Sequence, residues 1–151
     1  VTRRREIIEA VRDKLRRIRS DDPRFETDLG EHVQLGEVHN LGPDDPPQVA
    51  IMVGEDEIVS QRANFLIRLP IAIGVVVHAD YWEPYMAAED ALGDVRRALE
   101  DDPADRTLGG LVSGDFFERG TTQVTERESG SDPVGLLIEY VFPYQEGWGE
   151  P

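Results

Sequence analysis

Cysteine is absent and lysine nearly so: the chain has no Cys, and of its 16 basic residues only Lys14 is a lysine. Without thiols there is no disulfide framework and no thiolate nucleophile or metal ligand, and the redox compartment cannot be read. Because Lys14 lies inside a helical pattern, the glycine-rich phosphate loop that ends in Gly-Lys-Ser/Thr is excluded. Histidine is scarce as well. His32, His39 and His78 form no His-x-x-x-His pair, and a cation shared by His78 and Asp80 would lack a third ligand in register. Long apolar runs are missing too. Leu69 to Val77 is the longest, too short for a membrane span, and no apolar segment follows the arginine-rich start as it would in a signal peptide. The expectation is a chain that does not enter a membrane unaided.

Acidic charge is what the chain has in excess, with 31 Asp and Glu and a net charge of −15. Together with arginine in place of lysine, this resembles the composition of proteins from salt-loving organisms, in which screening relieves self-repulsion. An acidic protein of ordinary habitat is the alternative. The charge is uneven. Residues 1–24 hold nine positive and five negative side chains, a net +4, which leaves −19 for the remainder.

The segment that organises the chain is Asn64 to His78. Phe65, Ile67, Leu69, Ile71, Ile73, Val75 and Val77 take every second position, the period of a strand with one buried face. At about 3.3 Å per residue such a strand reaches roughly 45 Å, so part of it is expected to project beyond the core. Pro70 lacks a ladder donor and marks an edge or an irregularity.

Around it, Ile7, Val11, Leu15 and Ile18 recur at helical spacing and predict an amphipathic helix over residues 3–20, stopped by Ser20-Asp21-Asp22-Pro23. Two strands follow, near 31–38 and 49–53, joined by the stiff loop Gly42–Pro47, and Gly54–Glu57 turns toward the central strand. A second helix starts near Pro84 and buries Ala88, Leu92, Val95 and Leu99, with Tyr85 on the same side; it ends at Asp101-Asp102-Pro103. Thr107 to Phe117 reads as a glycine-marked approach to a strand, Thr121 to Pro133 as a polar connection, and Leu136 to Tyr144 as the closing strand. The reading is one α+β domain over residues 1–151, with a basic helix at 3–20, an acidic body at 31–144 and a short tail at 145–151. Its order is helix, three strands, helix, two strands, and its sheet is mostly antiparallel with the helices on one face.

No constellation announces chemistry. Gly109-Gly110-Leu111-Val112-Ser113-Gly114 lacks the spacing of a nucleophile elbow and reads as a turn. Carboxylate pairs are expected from composition alone in so acidic a chain. No catalytic, metal-ligating or cofactor-binding residues are expected. Contact residues are the better candidates. Arg5, Arg12, Arg16 and Arg19 share a helix face suited to an acidic surface, though a solvated face is the plainer alternative. Tyr81, Trp82 and Tyr85 read as core or its margin, whereas Trp148 lies in a glycine-rich tail suited to contact with another chain.

The order of elements, with Asp105-Arg106-Thr107-Leu108-Gly109-Gly110 ahead of a strand and a last strand ending at Tyr144 before Gly149-Glu150-Pro151, resembles tail terminator and tail-to-head joining proteins of long-tailed viruses. The resemblance covers nearly the whole chain and rests on the order of short phrases. It implies a ring-forming, non-enzymatic subunit, hexameric in assembly, at the head-proximal end of the tail of the virion, put together in the host cytoplasm. The ring's partners would be the tail tube protein and the head connector, with genomic DNA passing through an acidic lumen without specific binding. Thr107, Leu108, Gly109 and Gly110 would form a turn near a ring surface. The competing reading is a monomeric α+β binding module that uses an exposed sheet edge.

Overall fold

The computed structural model describes residues 1–101, 106–114 and 117–151. Two long strands form its spine: β4, Asn64–Val77, and β6, Val134–Gly147, pair antiparallel along their whole length, from Asn64 opposite Gly147 to Val77 opposite Val134. The alternation read from the sequence sets which face is buried. Ile67, Leu69, Ile71, Ile73, Val75 and Val77 are buried beside Leu136, Ile138, Tyr140, Phe142 and Tyr144, because residues directly opposite in a ladder share a face.

The other strands flank this pair. β2, Gln48–Val53, is antiparallel to the upper half of β4, and β1, Val33–Leu35, lies outside it. β3, Glu57–Gln61, forms a hairpin with the lower half of β4, and β5, Glu118–Val124, runs beside β6. The result is a sheet of six strands, ordered β1-β2-β4-β6-β5 with β3 also on β4. Two helices pack on one face: α1, Arg3–Arg16, and α2, Pro84–Glu100. The fold is therefore α+β with a mostly antiparallel sheet.

α1 begins at Thr2, whose hydroxyl accepts from the Arg5 amide at 3.1 Å. It buries Ile7, Val11 and Leu15 as its spacing requires, but it stops at Arg16, short of residue 20. Ile18 still reaches the core from the turn that follows, with its amide on the Leu15 carbonyl. α2 places Pro84 in its first turn and buries Ala88, Ala91, Leu92, Val95 and Leu99.

Three local expectations are corrected and one is completed. β3 arises from a stretch partly read as a turn, so four strands, not three, separate the helices. β1 pairs with β2 in parallel, the direction that the sequence left open for the two strands joined by Gly42–Pro47, so the connection between them crosses over. Arg106–Gly114 forms turns, and the strand comes later, from the polar Glu118–Val124. That strand escapes pattern reading because an edge position asks for no apolar alternation. The Asp102, Pro103, Asp105 and Phe116 positions of the expected loop and strand lie outside the described residues. Finally, β6 continues to Gly147, so the first part of the expected tail belongs to the sheet.

Candidate interaction surfaces

Each side chain proposed for contact has a definite environment. On α1, Arg5 is paired with Glu9 at 2.8 Å, which holds the Glu9 carboxyl below its ordinary range. Arg19 is paired with Glu31 at 2.7 Å. Arg12 lies 4.0 Å from Asp13, and its Nε is buried without a hydrogen-bond partner among the described residues. Arg16 is exposed with no ion pair among the described residues. α1 ends at Arg16, so Arg19 lies beyond the helix and the expected four-arginine helix face is reduced to Arg5, Arg12 and Arg16; exposed pairs such as Arg5–Glu9 contribute little stability.

The turn at Thr107–Gly110 is built around Thr107, whose hydroxyl and carbonyl both accept. The Gly110 amide donates to the Thr107 hydroxyl at 3.2 Å and the Val112 amide to the Thr107 carbonyl at 3.0 Å. Leu108 is buried in the core at φ 52°, so this residue anchors the turn inward and offers no surface. Gly109 and Gly110, at φ 69° and 89°, stay exposed. Trp148 does not hang free: its ring lies 4.3 Å from that of Phe65, and its indole N–H donates to the Arg62 carbonyl at 3.0 Å. The indole nevertheless remains 61% exposed.

The large exposed apolar side chains fall into groups. At one end of the β4–β6 spine, Trp148 stands over the β3–β4 turn, with Ile58 and Val59 on β3 close to half exposed. At the opposite end, where Val134 meets Val77, Trp82 is 82% exposed and Met86 and Val124 are each 60% exposed, beside Tyr85. Tyr85, Met86, Val124 and Val134 line a hollow of about 360 Å³ there. The sequence placed Trp82 and Tyr85 at the core margin; instead they face solvent. Tyr85 turns off the buried stripe toward Glu89, one helical turn on, and that hydrogen bond raises its hydroxyl pKa.

Backbone strain sits at the same place. Glu83, the residue before α2, adopts the left-handed conformation at φ 43°, ψ 62°, and its side chain caps nothing. For a residue with a Cβ this conformation costs about 1–3 kcal/mol. It turns the chain from Trp82 into the helix.

Two sheet edges are free among the described residues. β5 forms one side of the sheet; β1 and β3 border the other. β3 and β5 each carry a register shift, at Ile58/Ser60 and Arg119/Thr122. Across the open face of the sheet, Arg68 bridges Glu118 at 2.8 Å and Glu57 at 3.9 Å, tying both sides to β4. The ion pair with Arg68 lowers the pKa of Glu118.

Among the described residues no group of His, Cys, Asp and Glu is arranged to hold a metal ion, and no helix is long and apolar enough to cross a membrane. What the fold and surfaces define is an α+β subunit with helices on one sheet face and apolar patches at the two ends of its longest strands. No protein-family model matches the chain, and no curated protein is a significant match.

Proposed function

We propose that the chain is a structural subunit of a ring at the head-proximal end of a viral tail tube, where it stops tube growth and offers a docking face to the head connector. The observation that carries this reading is the distribution of surface. Apolar, aromatic groups stand at opposite ends of a spine roughly 45 Å long. Such poles suit a subunit that meets one partner on each axial side. Free edges on opposite sides of the sheet, and a basic helix on an acidic body, supply the two unlike lateral patches that a closed ring requires. An acidic lumen would let DNA pass, since neutralising no phosphates gains no counterion release.

Light scattering at low and at molar salt, with and without purified tail tube protein, tests the proposal. A mass near that of a hexamer, or one reached only when tube is present, supports it. A monomer under every condition, with no binding to tube ends, overturns it. The free edge of β5 would then favour a monomeric binding module that pairs with an extended segment.

A further inference from the structure

We infer that the open face of the sheet, the side away from α1 and α2, is where a second copy of this chain docks, sheet against sheet about a two-fold axis. An antiparallel sheet with one solvated face carries polar residues at its outward positions, whereas strands that are apolar on both sides are those covered on both. The three strands β2, β4 and β6 are of the second kind. Met52, Ala72, Val76, Leu137, Val141 and Pro143 alternate with the residues buried beneath the helices, and they stay partly exposed. The centre of this face is flat. Gly74 adds no side chain there, and Met52 and Leu137 lean over it, with carbons 3.2 and 3.5 Å from where a Cβ would stand. Two such faces can pack as aligned sheets about 10 Å apart.

Area and charge name the occupant. The strands of the sheet together span on the order of 800 Å², and a standard protein interface buries about 800 Å² per partner. In the β4–β6 register Arg68 lies opposite Pro143, Pro70 opposite Val141, and Ala72 opposite Glu139. A two-fold axis running across the strands at the Pro70–Val141 level exchanges the levels on either side of it. Arg68 then lies over the partner's Ala72, one strand away from the partner's Glu139, and the same contact repeats in reverse. Glu139 is exposed and makes no ion pair among the described residues, so it can take this role. A two-fold contact asks for only one patch that complements itself, which this face supplies.

The contact has an electrostatic cost. Each copy carries a net charge of −15, and Glu118, level with Val141 on β5, meets its own counterpart at the axis while Arg68 holds it at 2.8 Å. Salt screens long-range repulsion more than it weakens contacts at about 3 Å, so the pair tightens as salt rises. An axis in this direction also sets the two spines antiparallel. The contact therefore belongs to copies free of a tube, not to neighbours in a ring. It uses neither the strand ends nor the sheet edges, so it stands or falls apart from the ring reading.

Sedimentation equilibrium of the full chain tests the inference, over a range of concentrations at low and at molar potassium chloride and without tube protein. The expected result is a monomer–dimer equilibrium whose dissociation constant falls with salt. Leu137→Lys with Val141→Lys, both on the open face and partly exposed, should abolish the dimer, with a cooperative urea transition showing that the fold is kept. Glu139→Arg sets like charges together with the partner's Arg68 and should weaken the dimer about tenfold. Because Glu139 is exposed, this variant carries the test alone if the lysine variant does not fold. A monomer at every concentration and salt, the outcome for a face reserved for another protein, would overturn the inference. So would an assembly that both variants leave unchanged, or one that Trp148→Ala breaks and they do not, since self-association would then lie at the strand ends.

Discussion

Asp94 is the residue that ties the two helical regions together. It is fully buried, yet its carboxylate accepts from the Glu26 amide at 3.1 Å, the Thr27 amide at 2.8 Å and the Thr27 hydroxyl at 2.6 Å. Arg97, one helical turn on, completes the set at 2.9 Å. A buried carboxylate is tolerated only when its lone pairs are filled in this way, and removing it strands several donors at once. Asp94→Ala is therefore expected to cost about 2–4 kcal/mol, from the amides of Glu26 and Thr27 left without an acceptor, since Arg97 is 42% exposed and can turn to water. Thr27→Val, which removes one hydroxyl and leaves the carboxylate, should cost about 1 kcal/mol. Urea unfolding midpoints at unchanged slope measure both; equal losses in the two variants would mean that the network does not depend on the carboxylate.

At the scale of elements, the strands with one buried face were legible because burial demands alternation: β4 and β6 follow directly from Phe65 to Val77 and from Leu136 to Tyr144. The length of β4 was legible too, but the expected projection beyond the core is replaced by pairing: its lower half lies between β3 and β6, as its upper half lies between β2 and β6. Helices read well where the stripe was continuous. β5 and β3 were hidden, since edge strands carry polar residues and bulges that erase the period. The exposed apolar groups were legible only in part. The aromatics near α2 were visible as a cluster, but their exposure depends on the turn at Glu83, which no apolar pattern records. Asp94 stands at the margin of the α2 stripe, three residues after Ala91, and nothing in spacing distinguishes it from a solvated carboxylate.

The seat of α1 rests on a close backbone approach. The Gly30 amide donates to the Ile18 carbonyl at 2.9 Å, and a Cβ at Gly30 would lie 2.5 Å from the Arg16 carbonyl oxygen and 2.6 Å from that of Ile18. Neither is a flexible side chain that can step aside. Gly30→Ala must push the end of α1 off the single 3-10 turn at Leu29–Glu31, at a cost of about 1–3 kcal/mol, as for other overpacked sites. Hydrogen exchange should show the loss first in α1 amides, with the β4–β6 ladder retaining most of its protection. Uniform loss across helix and sheet would mean that α1 is not a separately seated element.

For the whole molecule the deciding quantity is charge. A net −15 on 151 residues repels itself, and only part of it is offset by local pairs such as Arg5–Glu9, Arg19–Glu31 and Arg68–Glu118. Salt acts on both terms. Raising it from about 0.1 M to 1 M shortens the screening length from about 10 Å to 3 Å, which weakens long-range repulsion among carboxylates more than contacts at 3 Å. Exposed pairs contribute at most about 1 kcal/mol each even at low salt, so their loss is small. The expected outcome is a melting temperature that rises through molar potassium chloride, a salt chosen over sulfate because sulfate strengthens apolar burial on its own account. Substituting Asp44 and Asp45, both exposed in the loop before β2, with asparagine should reduce the rise, since fewer repelling charges remain to be screened. A melting temperature that falls with salt would show instead that the arginine pairs outweigh the self-repulsion, and the salt-loving reading of the composition would lose its physical basis.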